Sequence, residues 1–168
     1  MVLVFVEKDG NKIKKSSQEA LTFGADLAQQ TGSTCSAVVV GGGDLENLGQ
    51  YGASKTYAVE GSGLDTFTPG AYAHAVHSVA ASNDASTVII SASYTGKSIA
   101  PKLAVKLGAA LSTGVVALPS TDGGFSVRKS CFSNKAFTTV SVNNAKRVIS
   151  IVPNSYEVKA FDNQADVE

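Results

Sequence analysis

Residues 2–6 read Val-Leu-Val-Phe-Val, five strand formers in a row with Glu7 and Lys8 directly after them. An unbroken apolar run of that length, rather than an alternating one, suits a strand buried on both faces, as in a parallel sheet covered by helices. The residues that follow repeat the theme. Ser16, with Glu19 three positions later, makes a capping-box pattern. Ala20, Leu21, Ala25, Leu27 and Ala28 then recur near helical period, and Gly32 reads as the stop. A second strand is expected over Thr34–Val40, ending in the glycines at 41–43, then a short helix over Leu45–Tyr51 and a third strand over Lys55–Val59.

Thr68 and Pro69 open a helix with a Thr cap and Pro at its first position, running to about Ser82. Thr87–Ile90 is the fourth buried strand. Ser98 is expected to cap a further helix, with Pro101 in its first turn, Ile99, Leu103 and Leu107 on one face and Gly108 at its end. After Ala110 the period changes. Ser112–Leu118, Phe125–Cys131, Ala136–Val142 and Arg147–Val152 all read as strands, with turns at 122–124 and 143–144. Alternating strands and helices imply an α/β fold, an open, mostly parallel sheet with helices on both faces. The β-rich C-terminal extension should lengthen that sheet or form an antiparallel arm. The expected organisation is one α/β domain over 1–153 and a polar, linker-like tail over 154–168.

Several function classes are disfavoured. Lys plus Arg and Asp plus Glu balance at 14 each, so no basic stripe for nucleic acid is expected, and Lys12, Lys14 and Lys15 read as a solvated turn. Met1 runs straight into the first strand, with no long apolar segment, so the chain is expected to be cytoplasmic, without membrane insertion. Cys35 and Cys131 sit in strand-like stretches and read as reduced, packed thiols. His74 and His77 share a helix face but lack a third ligand nearby, so no metal site is expected.

Ligands of open α/β sheets bind at the carboxyl ends of the strands. Three segments end there: Glu7-Lys8, Gly41-Gly42-Gly43, and Ser91 through Ser98. The last, Ser-Ala-Ser-Tyr-Thr-Gly-Lys-Ser, is one residue from the phosphate-binding pattern G-x-x-x-x-G-K-[ST], with Ser91 in place of the first glycine. That glycine makes the turn that lets backbone N–H groups wrap a phosphate, so a true nucleotide-triphosphate loop is not expected. Ser91, Thr95, Gly96 and Lys97 read instead as small and polar groups at a helix N-terminus that can still cradle one phosphate. No G-x-S-x-G elbow or local Cys–His pair is present, and no catalytic residue is expected.

Three stretches together resemble one family. They are VLVFVEKDGNKIKKSSQEALTFGADLA at 2–28, SASYTGKSIAPKLAVKLGAALSTG at 91–114, and RKSCFSNKAFTTV at 128–140, supported by YGASKTYAVE at 51–60 and the text at Val148–Asn154. They are similar to the amino-terminal part of electron transfer flavoprotein α subunits and of relatives linked to nitrogen fixation. Ser130 and Ser133 stand where that family often has Pro or Gly.

The resemblance implies an adenine-nucleotide α-hydrolase-like, Rossmann-like domain. It also implies a heterodimer with a β subunit that holds AMP, FAD in a second domain of the α subunit, and a vestigial phosphate loop at Ser91, Thr95, Gly96 and Lys97. That domain's G-x-S-G-x-x-Q-H sequence has no counterpart here, so the chain is expected to stop before the flavin half and to hold no FAD itself. The complete carrier would take electrons from flavin dehydrogenases and pass them to a membrane quinone reductase. On that reading the chain is a scaffold and subunit-interface domain, not an enzyme. A stand-alone adenine-nucleotide-binding domain using Glu7, residues 41–43 and Thr95-Gly96-Lys97 is the alternative.

Overall fold

The computed structural model describes residues 1–41 and 47–168. Gly42 and Gly43 of the triple glycine, and Leu45 at the start of the expected short helix, lie outside the described residues. Among those described, the chain runs β1 (Val2–Val6), a small hairpin of β2 (Lys8–Asp9) and β3 (Lys12–Ile13), α1 (Lys15–Gln30), β4 (Cys35–Val40), a 3₁₀ turn at Leu48–Tyr51, β5 (Lys55–Val59), α2 (Pro69–Ser82) and β6 (Thr87–Ser91). It continues with α3 (Tyr94–Leu107), β7 (Ala110–Val115), β8 (Ser126–Cys131), β9 (Ala136–Ser141), β10 (Arg147–Ile151) and β11 (Asp166–Val167).

Nine of these strands form one sheet in the order β11-β5-β4-β1-β6-β10-β7-β8-β9. Pairing is parallel from β11 to β7, and β8 and β9 continue it antiparallel. The architecture is therefore α/β with a large, mostly parallel sheet. The expected late strands serve both expected uses. β10 inserts in parallel between β6 and β7, while β8 and β9 form an antiparallel arm at the edge.

Both faces of the central strands are buried. Val2, Val4 and Val6 of β1 pack with Leu21, Phe23 and Leu27 of α1 on one side. Leu3 and Phe5 pack with Val76 of α2 and Ile99 and Leu103 of α3 on the other. Consecutive β1 side chains thus enter two different cores, which is why the strand carries no polar alternation.

The helix α2 begins at Pro69 and ends at Ser82 as expected, although Thr68 makes no side-chain cap, while the starts of α1 and α3 depart from the local sequence signals. Ser16 and Glu19 do not form a capping box: α1 begins at Lys15, and its N-cap residue Lys14 makes no side-chain cap. The carboxylate of Glu19 instead accepts the Asn154 N–H at 2.7 Å, and Ser17 Oγ accepts the Glu7 N–H at 2.8 Å. Of the expected pair, Glu19 has thus turned from local capping to a tertiary partner. Likewise Ser93, not Ser98, caps α3, its Oγ accepting the Gly96 N–H at 2.9 Å. Ser98 Oγ donates to the Tyr94 carbonyl at 2.9 Å, and Pro101 falls inside the helix rather than in its first turn. The expected stops are observed, with Gly32 and Gly108 at φ +64° and +61°.

Residues 155–168, expected as a polar tail, lie against α1 and end as β11 beside β5. No helix among the described residues is long and apolar enough to cross a membrane.

Candidate functional site

From β1 the chain passes through α1 to β4 on one side, and later through α2 to β6 on the other. Connections that leave β1 in opposite directions open a crevice at the strand ends, the usual ligand position in such sheets. A cavity of about 540 Å³ lies there, lined by Phe5, Glu7 and Lys8 from the β1 end, Gly41 after β4, Phe67 and Tyr72 at the start of α2, and Thr95 of α3. Each of the three segments expected at the strand ends therefore contributes to a single cavity.

Glu7 forms the floor. Its side chain is only 4% exposed. One carboxylate oxygen accepts a hydrogen bond from Ser93 Oγ, and the other receives Lys14 Nζ at 3.2 Å. A buried carboxylate needs both oxygens matched, and here both are. Because Ser93 Oγ also caps α3, Glu7 joins the end of β1 to the N-terminus of that helix. The wall opposite is aromatic: Tyr72 meets Phe67 edge-on at 5.0 Å and Phe5 at 6.4 Å between centroids. Burial and the nearby Asp65 carboxylate push the Tyr72 hydroxyl above its ordinary pKa, and it donates to the Leu64 carbonyl at 3.0 Å.

The segment 91–98 is mostly helix. Ser91 ends β6 with a buried side chain, and α3 starts at Tyr94. Thr95, Gly96 and Lys97 therefore occupy the first turn of α3. They diverge: Thr95 lines the crevice, while exposed Lys97 borders a second pocket of about 410 Å³ with Ala100, Thr113, Ser150 and Pro153. Gly96 is held for close approach. A Cβ there would lie 1.9 Å from the Ser91 carbonyl oxygen and 2.8 Å from Ile90 Cγ2. The space beside this glycine is filled by the Ser91 carbonyl and the Ile90 side chain, so only glycine lets α3 approach β6 this closely.

His74 and His77 lie one turn apart on α2, rings 6.3 Å apart and nearly parallel, and no group of three metal-ligating side chains occurs among the described residues. Cys35 is buried under α1, and burial pushes its thiol up to about 12. Sequence reasoning missed Lys14, Phe67, Tyr72 and the capping role of Ser93. Ser93, three residues before Gly96, carries a readable cap signal. The others reach the crevice only through the fold.

On the far edge of the sheet, β9 is exposed along most of its length. Phe132 at the hairpin tip is 80% exposed and Phe137 55%, while Val140, 39% exposed, lies on the other face of β9 opposite Val127. Phe132, Ser133 and Asn134 all take φ between +49° and +64°, so a bulky side chain is held in the left-handed region at the tip. Arg128 of β8 stacks on the Phe137 ring at 4.4 Å.

The model of the electron transfer flavoprotein domain matches residues 2–168. The electron transfer flavoprotein α subunit of Bacillus subtilis (strain 168) is 27% identical over 165 residues, which is 96% of this chain and 50% of that protein. The α subunit of Syntrophomonas wolfei is 28% identical over 159 residues, 92% of this chain and 49% of that one. That of Thermoanaerobacterium thermosaccharolyticum is 24% identical over 156 residues, 90% and 47%. The chain thus spans about half the length of the curated relatives it matches. With a family match running from the first strand to the last residue, the chain belongs to the electron transfer flavoprotein domain family.

Proposed function

We propose that this chain is the amino-terminal scaffold and subunit-interface domain of an electron transfer flavoprotein α subunit. Its partner is the β subunit, and FAD is held outside these residues. The observation that carries the reading is the β8–β9 arm. Its apolar side chains Phe132, Phe137 and Val140 are exposed on a sheet edge, the kind of surface that marks a protein contact. In the complete carrier the electrons come from flavin dehydrogenases and go to a quinone reductase. AMP sits in the β subunit, the carrier is cytoplasmic, and this domain is not itself an enzyme.

Co-expression with a β subunit tests the interface. The 168-residue chain should co-purify with it, and Phe132→Ser with Phe137→Ser should abolish that capture while leaving the thermal midpoint in place. The purified chain should also be colourless; stoichiometric flavin absorbance would refute the assignment.

A second reading rests on the crevice, where Glu7, Gly41 and Thr95 converge beside Lys14 and an aromatic wall. It makes the chain an adenine-nucleotide-binding domain. Calorimetry with AMP or ATP separates the two, because micromolar binding lost in Lys14→Ala supports only this one.

A further inference from the structure

After β10 the chain turns at Asn154, φ +61°, and crosses the outer side of α1 to the opposite edge of the sheet. Its polar groups are met at each step. Glu19, 2% exposed, accepts the Asn154 N–H at 2.7 Å. Asp26 Oδ2 accepts from Tyr156 Oη and Lys159 Nζ, each at 2.5 Å, and the Tyr156 ring packs edge-on against Phe23 at 5.2 Å. Thr22 Oγ1 accepts the Lys159 N–H at 3.3 Å, and the Gln50 carbonyl accepts the Phe161 N–H at 2.9 Å. Asn47 donates to the Asn163 carbonyl at 3.2 Å and accepts the Ala165 N–H at 3.1 Å. The segment then pairs with β5: the Glu168 N–H donates to the Thr56 carbonyl at 2.9 Å and the Ala58 N–H to the Glu168 carbonyl at 2.8 Å, with a Lys55–Glu168 ion pair outside.

Gly49 shows that the seat is shaped for this segment. A Cβ there would lie 2.4 Å from the Asn163 carbonyl oxygen and 2.7 Å from the Ala165 N, and these contacts are to backbone. Without β11, β5 would be the open edge of a parallel sheet. Its sequence, Lys-Thr-Tyr-Ala-Val, has one charge and no proline, so little in it discourages pairing. In a symmetric antiparallel register centred on Tyr57, Lys55 would face Val59 of the second strand, with no like charges opposed.

We propose that residues 154–168 are a strap seated on Glu19, Thr22, Asp26, Asn47 and Gly49, and that it seals the β5 edge against pairing with a second copy of this chain. Detaching the strap turns β5 into a self-association edge.

The test uses the full 168-residue chain, followed by hydrogen exchange, trypsin cleavage after Lys159 and sedimentation. In the unmodified chain the amides of Phe161, Ala165 and Glu168 should be protected. Gly49→Ala should release exchange in 155–168 by about tenfold or more while β1, β4 and β6 keep their protection. It should speed cleavage after Lys159 similarly and add concentration-dependent self-association over that of the unmodified chain. Should Gly49→Ala fail to fold, Asp26→Asn combined with Tyr156→Phe loosens the same segment, with the same readouts expected. Exchange of 161–168 at unstructured-peptide rates in the unmodified chain would overturn the strap. A released strap with no added self-association would overturn the sealing of the edge.

Discussion

At the scale of single residues, the most constrained position is Gly96. A Cβ would sit 1.9 Å from the Ser91 carbonyl oxygen, a backbone atom that cannot swing aside. Gly96→Ala must therefore shift α3 against β6, and a loss of about 2–3 kcal/mol in urea unfolding is expected, the size of a tight overpacking cost. A change below about 0.5 kcal/mol would show that the turn relaxes freely. Cys35 supplies a pH dependence. Burial raises its thiol from the ordinary 9.0 to about 12, so the folded state keeps the proton after the unfolded chain has lost it. Its contribution is intact below pH 9 and falls as pH rises from 9 toward 12. The local slope approaches about 1.4 kcal/mol per pH unit. Urea midpoints measured across that window should decline, and less steeply in Cys35→Ala. The packing of Cys35 was legible in its strand-like stretch, but the contacts at Glu7 and Gly96 could not be read locally. Glu7 meets Ser93 across 86 positions, and the crowding at Gly96 exists only once β6 and α3 are packed.

Among the elements, strands were the most legible. β5 occupies the residues expected of it, and β6 and β9 differ by one residue at an end, because runs of β-branched and aromatic residues bounded by turn residues leave a strand few other places to stop. Helix starts were less so. Ser16 and Ser98 both carry a cap's chemistry, yet Ser93 does the capping in α3 and no side chain does in α1. A hydroxyl signals a cap only where no tertiary partner or earlier hydroxyl competes for the role. The early start of α3 has a consequence at Pro101, which is exposed and lies inside the helix, where its ring removes one backbone donor. Pro101→Ala restores that donor on a solvent-facing position. The gain expected from helix propensity, less the unfolded-state entropy that proline removes, is about 2 kcal/mol. Calorimetry should show a higher midpoint; a lowered one would mean that the ring packs in a way its exposure does not suggest.

For the whole molecule the decisive strand is β10. It follows the β8–β9 arm in sequence but lies in the middle of the sheet, pairing with Thr87–Ser91 on one side and with Ala110–Val115 on the other. Sequence showed the strand but not its place, because a buried apolar run looks the same wherever it inserts. Until residues 147–151 arrive, β6 and β7 have no bridge between them, so the sheet closes through long-range contacts late in the chain. Core truncation should be costly there and cheap on the arm. Ile149, fully buried between Ile89 and Ser112, should lose about 2–5 kcal/mol on Ile149→Ala. Val140→Ala on exposed β9 should stay within about 0.5 kcal/mol, since that strand contributes little buried area to this chain alone. Chemical denaturation of the two variants measures the contrast directly. Equal losses would mean that the arm is as integral to the sheet as its centre, and the arm would then be a poor candidate for a surface reserved for another subunit.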